Sequence, residues 1–566
     1  MRLTQTLAIL ALTATVSGPA LSAGSGGEGD DIVGPYFAGL IAGSRGDAMT
    51  AADYLLDVAG RAQPSREVLG PALRAAISAG RIDEAVAVAY DLIAVSPGGS
   101  EAALLLLVAE SALAGDWDDA RVRLADLPGG NLSRTRRILL DGWVTLPLEG
   151  VDRSLQVISP IDGNPGLDIL HKLHTALLLD IAGKPEAAAA YQAVLDAGTQ
   201  SSGRMVMLAS NYFARAGDRE KAKAILEGAL AGGRGRSTLE AVLAELKTGE
   251  TPAPMVPDAL AGMSEVFLQI AAALADEWPD ELSLQEARLA SYAAPDSPAA
   301  LLLVSEALSR LARYDEAVAG YDRLLGDPRH GSAAALARAD ALAAAKRFEA
   351  AQAAYRELAA LRGDDPDPLI RLGNMLRWER RFEESLAAYD EAVLRVQTED
   401  PAIWLLYYFR GISNERTGKW EAAEADFQQA LALNPDQPQV LNYLGYSWVE
   451  KGKHLDEARA MLERAVALRP DDGYIVDSLG WALYRLGDYE EAVRQLERAV
   501  ELDPGQAVIN DHLGDAYWRV GRKREALVQW HRTLSLGEDP DIDPEEVRQK
   551  LERGLPPIDA EAPNKI

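Results

Sequence analysis

Few residues in this 566-residue chain have the types and spacing that chemistry needs. His171 and His174 stand three apart. On one face of a helix, two imidazoles at that spacing can share a metal ion. No carboxylate or third imidazole stands at a suitable offset, so no metal site is expected. Asp539, Asp541 and Asp543 imitate the alternating acids of a calcium loop. Pro544 stands where such a loop needs glycine for its sharp turn, so the run reads as an acidic linker. His330, His454, His512 and His531 read as turn or helix-surface residues. There is no phosphate-binding glycine loop, no G-x-S-x-G elbow and no isolated carboxylate pair. The absence of cysteine excludes disulfides, thiolate metal sites, a cysteine nucleophile and a lipid-modified N-terminal cysteine. The chain is therefore read as a non-enzyme without a cofactor.

What could position a binding surface is a repeat. Ala51, Ala85, Ala317, Ala351, Ala458, Ala492 and Ala526 fall at steps of about 34 residues or sums of them. The segment VDSLGWALYRLGDYEEAVRQLERAVELDP shows the unit: Leu479 and Gly480 within one helix, Gly487 at its end, and Tyr489, Ala492, Leu496 and Ala499 on one face of a second helix before Pro504. Gly480 and Ala492 are small where two helices approach closely. Gly487 supplies a left-handed cap, and Pro504 cannot continue a helix. Gly411, Gly445, Gly480 and Gly514 fill one first-helix position, and Gly418, Gly452, Gly487 and Gly521 fill the turn.

This pattern closely resembles the tetratricopeptide repeat. The resemblance implies an all-α solenoid, a right-handed superhelix of antiparallel helix pairs, with about 14 repeats in two arrays. The anchors are Ala51, Ala85, Ala120, about Leu155, about Ala187, Ala222, about Ser283, Ala317, Ala351, Ser385, Ala423, Ala458, Ala492 and Ala526. In the resembled family the first helix of each pair lines a concave groove. Carried to the four strongest units, this implies partner-binding roles for Tyr408, Ile412, Asn442, Tyr446, Tyr474, Asp477, Trp481, Tyr484, Arg485, Asp511, Asp515, Trp518 and Arg519. Aromatics with polar tips and Arg are the residues that anchor interfaces, and a repeated Asn or Asp can hold an extended peptide. Trp448, Leu483 and Tyr517 occupy packing positions.

Residues 1–23 read as a signal peptide, with Arg2, an apolar stretch from Leu7 to Val16, a break at Ser17-Gly18-Pro19 and cleavage near Ala23. A run of about ten apolar residues is short against the roughly 20 that cross a bilayer, so no span is expected after cleavage. The implied location is the periplasm. A disordered linker at 24–34 leads to a degenerate N-terminal array at 35–231. The stretch 232–257, rich in Gly and Pro, reads as a hinge. A second array covers 258–537, strongest over 404–537, and 538–566 gives a capping helix and tail. The formal charge of −29, spread over the repeats, argues against a nucleic-acid ligand. The expected function is a scaffold or adaptor binding proteins or peptides along its concave groove in envelope protein processing or cell-envelope assembly, an envelope protease or cell-wall hydrolase being the kind of partner. The alternative is a polysaccharide-export scaffold that stacks sugars on an aromatic groove.

Overall fold

The computed structural model describes residues 32–98, 100–159, 168–197, 202–231, 236–275, 280–396, 403–537, 539 and 542–556. Residues 1–23, most of the linker behind them and the last ten residues lie outside these. The described residues form 30 helices and no strand. None of these helices is long and apolar enough to cross a membrane.

Fourteen helix pairs account for 28 of the 30 helices, and each of the fourteen anchors falls on the second helix of a pair. Thirteen of the anchor positions are buried outright; at the least regular one the buried residue is Ser154 and not its neighbour Leu155. The reason is steric. A residue larger than Ala or Ser here would hold the two helices of a pair apart. The two remaining helices are Arg236–Lys247 and the C-terminal Pro544–Arg553.

Each described turn inside a pair contains a residue of positive φ. Glycine fills it at Gly418, Gly452, Gly487 and Gly521, with φ between 63 and 84°. Ala312, Lys346 and Arg380 fill the same turn at φ 59–60°. These three repeats keep the geometry without glycine, at a cost of about 1 kcal/mol each.

The chain forms two compact units, Met1–Ala333 and Ala334–Ile566. The boundary expected at 232–257 therefore lies inside the first unit. Leu239, Val242 and Val256, within that stretch, share one hydrophobic core with residues on both sides of it. The Pro-rich stretch lets the chain turn back. The next pair, Ala259–Leu274 and Asp280–Ala293, then packs on the first helices Arg66–Ala79, Glu101–Leu113, Asn131–Glu149 and Asp168–Ile181. A side chain at Gly262 would overlap the ring of Trp143, which is fully buried. Arg136 and Glu286, 150 residues apart, meet at 2.7 Å, with their side chains only 6% and 4% exposed. Tyr292 donates to Glu110, and Arg204 reaches Glu265 at 2.8 Å. His174, weighed above as half of a metal pair, is buried beneath this pair of helices and accepts the Trp143 indole N–H at 3.0 Å.

The first helices of these four pairs are thus covered by the chain itself. A sequence signal accompanies it. EAALLLLVAESAL and ALAGMSEVFLQIAAAL have apolar residues on nearly every face, and a helix of that kind must be covered on most sides.

The second unit repeats one plan from Gly331–Ala344 to Lys523–Ser535. Within it Gly373, Gly411, Gly480 and Gly514 each lie under a large side chain sixteen residues on, namely Tyr389, Phe427, Leu496 and Trp530.

Candidate functional site

The first helices of the second unit are Gly331–Ala344, Asp367–Trp378, Ile403–Arg416, Pro438–Glu450, Gly473–Arg485 and Ala507–Arg519. Their shared face divides into packing positions and free ones. One packing position is set by a pairing fifteen residues apart. Tyr355 donates to Asp340 at 2.6 Å, Tyr389 to Asn374 at 2.7 Å, and the Trp530 indole to Asp515 at 2.9 Å. Where the second helix offers no such tip, as at Phe427, Met461 and Leu496, the first-helix residues fifteen before are Ile412, Tyr446 and Trp481. A buried donor demands an acceptor, and removing the donor removes the demand.

Of the thirteen residues expected to line a groove, four are covered at the C-terminal end. Lys550 of helix Pro544–Arg553 places its ammonium 2.6 Å from Asp511 and 2.9 Å from Asp515, with all three side chains buried. Burial pushes the Asp515 carboxyl up to about 6, against the pull of Lys550. The chain beyond this helix lays Gly554 against the Trp518 ring, and Arg519 donates to the Pro556 carbonyl at 2.6 Å. Asp511, Asp515, Trp518 and Arg519 therefore hold the chain's own end. Sequence reasoning expected a capping helix but not its lysine on this face.

The next four form a network between repeats. Trp481 stacks on Tyr484, with centroids 4.7 Å apart, and on His512 of the following repeat at 4.0 Å. Its indole and the Arg485 guanidinium share one oxygen of Glu450, at 2.8 and 2.9 Å. Asp477, buried, bonds the His512 Nδ1 at 3.0 Å. Burial opposes a charge on His512, but Asp477 together with Asp511 and Asp515 outweighs it and raises the imidazole above its ordinary pKa. Trp481 is thus a half-buried joint between repeats and not the free anchor expected of it. Tyr484 is buried and accepts from Arg519.

The other five behave differently. Tyr408 sits in an aromatic group with Trp404, Phe409, Phe427 and Tyr443, and Ile412 is part-buried against the same core. Tyr446 is half-buried. Tyr474 is 50% exposed. Asn442 is half-buried, and its side-chain oxygen is buried with no hydrogen-bond partner among the described residues.

The structure adds residues that sequence reasoning missed. Trp378 is 77% exposed at the end of its first helix. It lines a cleft of about 350 Å³ with Asp340, Tyr355, Arg371, Asn374 and Met375. The Arg377 guanidinium lies over the rings of Trp378 at 5.2 Å and Phe409 at 4.4 Å, and its Nε has no hydrogen-bond partner among the described residues. Arg371 bridges Asp340 at 2.5 Å and Asp367 at 3.0 Å. A signal was available. Trp378 stands five residues after Gly373, the offset of Arg485 from Gly480 and of Arg519 from Gly514.

A family model described as a tetratricopeptide repeat matches residues 370–438 and 408–473, and one described as a TPR repeat matches 480–521. Similar solved structures include YrrB, a TPR protein with an unusual peptide-binding site. It is 24% identical, with 35% of this chain and 98% of that chain covered and a TM-score of 0.28. The Cut9–Hcn1 hetero-tetramer of the APC/C is 16% identical over 93% of this chain and 97% of that chain, with a TM-score of 0.37. MamA from Desulfovibrio magneticus is 23% identical over 31% of this chain and 97% of that chain, with a TM-score of 0.27. Together the matched segments span residues 370–473 and 480–521, all within the second unit.

Proposed function

We propose that this chain, a tetratricopeptide-repeat protein, is a scaffold whose second unit holds an extended segment of a partner protein along its first helices, from the cleft at Trp378 to Tyr474. Repeats of this family imply protein partners. The observation that carries the placement is the Asn442 side-chain oxygen on this face, buried with no hydrogen-bond partner among the described residues. Leaving such an acceptor unsatisfied costs about 1–3 kcal/mol, which a backbone N–H of an extended peptide would recover. Exposed Trp378, Leu405 and Tyr474 supply apolar anchors at the two ends and between them.

Export to the periplasm, with cleavage near Ala23, belongs to the same proposal and is supported by the apolar stretch from Leu7 to Val16. Sequencing the N-terminus of the mature chain tests it; an N-terminus at Met1 in the cytoplasmic fraction sinks it. An envelope protease or a cell-wall hydrolase is the partner we expect.

The groove is tested by placing a photo-crosslinking residue in turn at Trp378, Leu405 and Tyr474, and at two exposed residues of the second-helix side, Leu394 just after the helix Phe382–Val393 and Val528 within Lys523–Ser535. Protein adducts from the first set alone support the proposal. Adducts from the second set alone refute it, and adducts to polysaccharide favour the sugar-binding alternative. Asn442→Leu should raise the stability of the second unit by about 1 kcal/mol, because no unpaired oxygen remains, and weaken partner binding. Unchanged binding in that variant would remove the observation on which the placement stands.

A further inference from the structure

The first unit contains a second cleft of about 670 Å³, apart from the groove proposed above. It opens between helices Arg236–Lys247 and Ala259–Leu274, the turn before Pro298–Arg310 and the turn at Asp327–His330. Its size suits a short peptide segment.

The lining is rich in acceptors and poor in free donors. Five prolines, Pro254, Pro257, Pro295, Pro298 and Pro328, contribute carbonyls but no N–H. The two arginines are already engaged, Arg329 by both oxygens of Glu245 at 2.6 and 2.7 Å and Arg204 by Glu265 at 2.8 Å. Asp258, Asp296 and Asp327 add negative charge. Among the described residues no group of three or more His, Asp or Glu is placed to hold a metal ion.

His330 decides what such a lining is for. It lines the cleft, is only 5% exposed, and its Nε2 has no hydrogen-bond partner among the described residues. Its Nδ1 lies 2.9 Å from Asp327, whose carboxylate also accepts the backbone N–H groups of Arg329 and His330. Asp327 can only accept, so Nδ1 carries the proton. Burial depresses the His330 pKa, which keeps the ring neutral and leaves Nε2 as an acceptor. A buried acceptor beside Asp327, with the neighbouring Arg204 and Arg329 each held by a glutamate and with Pro, Leu260, Met255 and Leu268 in the walls, fits a donor on an apolar stem.

We infer that this cleft binds a primary ammonium on an aliphatic stem, such as a lysine side chain, with its N–H donated to His330 Nε2 and its charge met by Asp327 and Asp296. The site is independent of the groove in the second unit, so each can fail alone.

The test is calorimetric titration of the full chain with acetyl-Pro-Lys-Pro-amide, its norleucine and acetyl-lysine counterparts, and 1,5-diaminopentane. Loss of a charge-assisted hydrogen bond predicts binding about tenfold weaker or more for the norleucine and acetyl-lysine peptides, and likewise for His330→Phe with the lysine peptide. Asp296→Asn, which leaves the His330 turn intact, should also weaken the lysine peptide while leaving the norleucine peptide unchanged. Tighter binding of the peptide than of the diamine identifies a polypeptide source; the reverse identifies a free amine. Equal binding of lysine and norleucine peptides, or full binding by a folded His330→Phe chain, overturns the assignment.

Discussion

Replacing Gly262 by alanine gives opposite signs for two arrangements of the first unit. Gly262 lies within helix Ala259–Leu274, where alanine is favoured over glycine by about 1 kcal/mol if the added methyl meets nothing. In this structure the methyl meets the Trp143 ring at three atoms, well inside the 3.5–4.0 Å at which carbons rest. The ring cannot swing away, because it is fully buried and its indole N–H is bonded to His174. Overpacking of this kind costs about 1–3 kcal/mol, and an immobile ring belongs near the upper end. Subtracting the helix gain leaves a net loss of about 2 kcal/mol. Gly228, in helix Arg219–Ala231 with nothing near its missing side chain, is the control. Gly228→Ala should stabilise by up to about 1 kcal/mol. Urea titration followed by ellipticity, with hydrogen exchange of peptides covering 131–149 and 259–274, reads both. Stabilisation by Gly262→Ala would refute the packing of this helix across the first array.

Three further outcomes follow from individual contacts. Burial pushes the Glu286 carboxyl up to about 7, with Arg136 pulling the other way. Its folded pKa lies above that of a free carboxyl, so stability of the first unit should fall as pH rises from roughly 5 through 7, by at most about 1.4 kcal/mol per pH unit. Glu286→Gln should flatten that slope in pH-dependent melts, and a slope of the opposite sign would contradict the assignment. At the left-handed turns, Ala312→Gly, Lys346→Gly and Arg380→Gly should each stabilise by up to about 1 kcal/mol, read as a rise in melting temperature. Lys550→Met leaves Asp511 and Asp515 buried without their cation, which costs about 3–5 kcal/mol. Limited proteolysis should then cut within 537–556, and adding Asp511→Asn and Asp515→Asn should restore most of the protection.

Repeat periodicity made the pairs legible because their contacts are short-range. Ala492 against the preceding helix, Gly487 in the turn and Gly480 under Leu496 are all settled within one unit, and the pattern recurs wherever the unit does. Even the polar pairs Asp340 with Tyr355 and Asn374 with Tyr389 can be read from an offset of fifteen. Repeats with Ala312, Lys346 and Arg380 do without the turn glycine because the turn tolerates a strained residue.

The candidate surface was legible only in part. The offset that marks Arg485 and Arg519 also marks Trp378, but nothing in a periodic pattern tells which copies of a position stay open. Trp481 is closed by the stack with His512 and the Glu450 bond, and Trp518 by the returning chain at Gly554.

By itself, then, the sequence determined the helix pairs, their number and the face each first helix presents, since these follow from local packing of small and large residues. The tertiary structure alone decided which of those faces remain free. Arg136 finds Glu286 across 150 residues, and Lys550 finds Asp511 across 39. Contacts at such separations leave no periodic trace. They form because an apolar or charged face with no neighbour in the array must be covered by whatever chain can reach it.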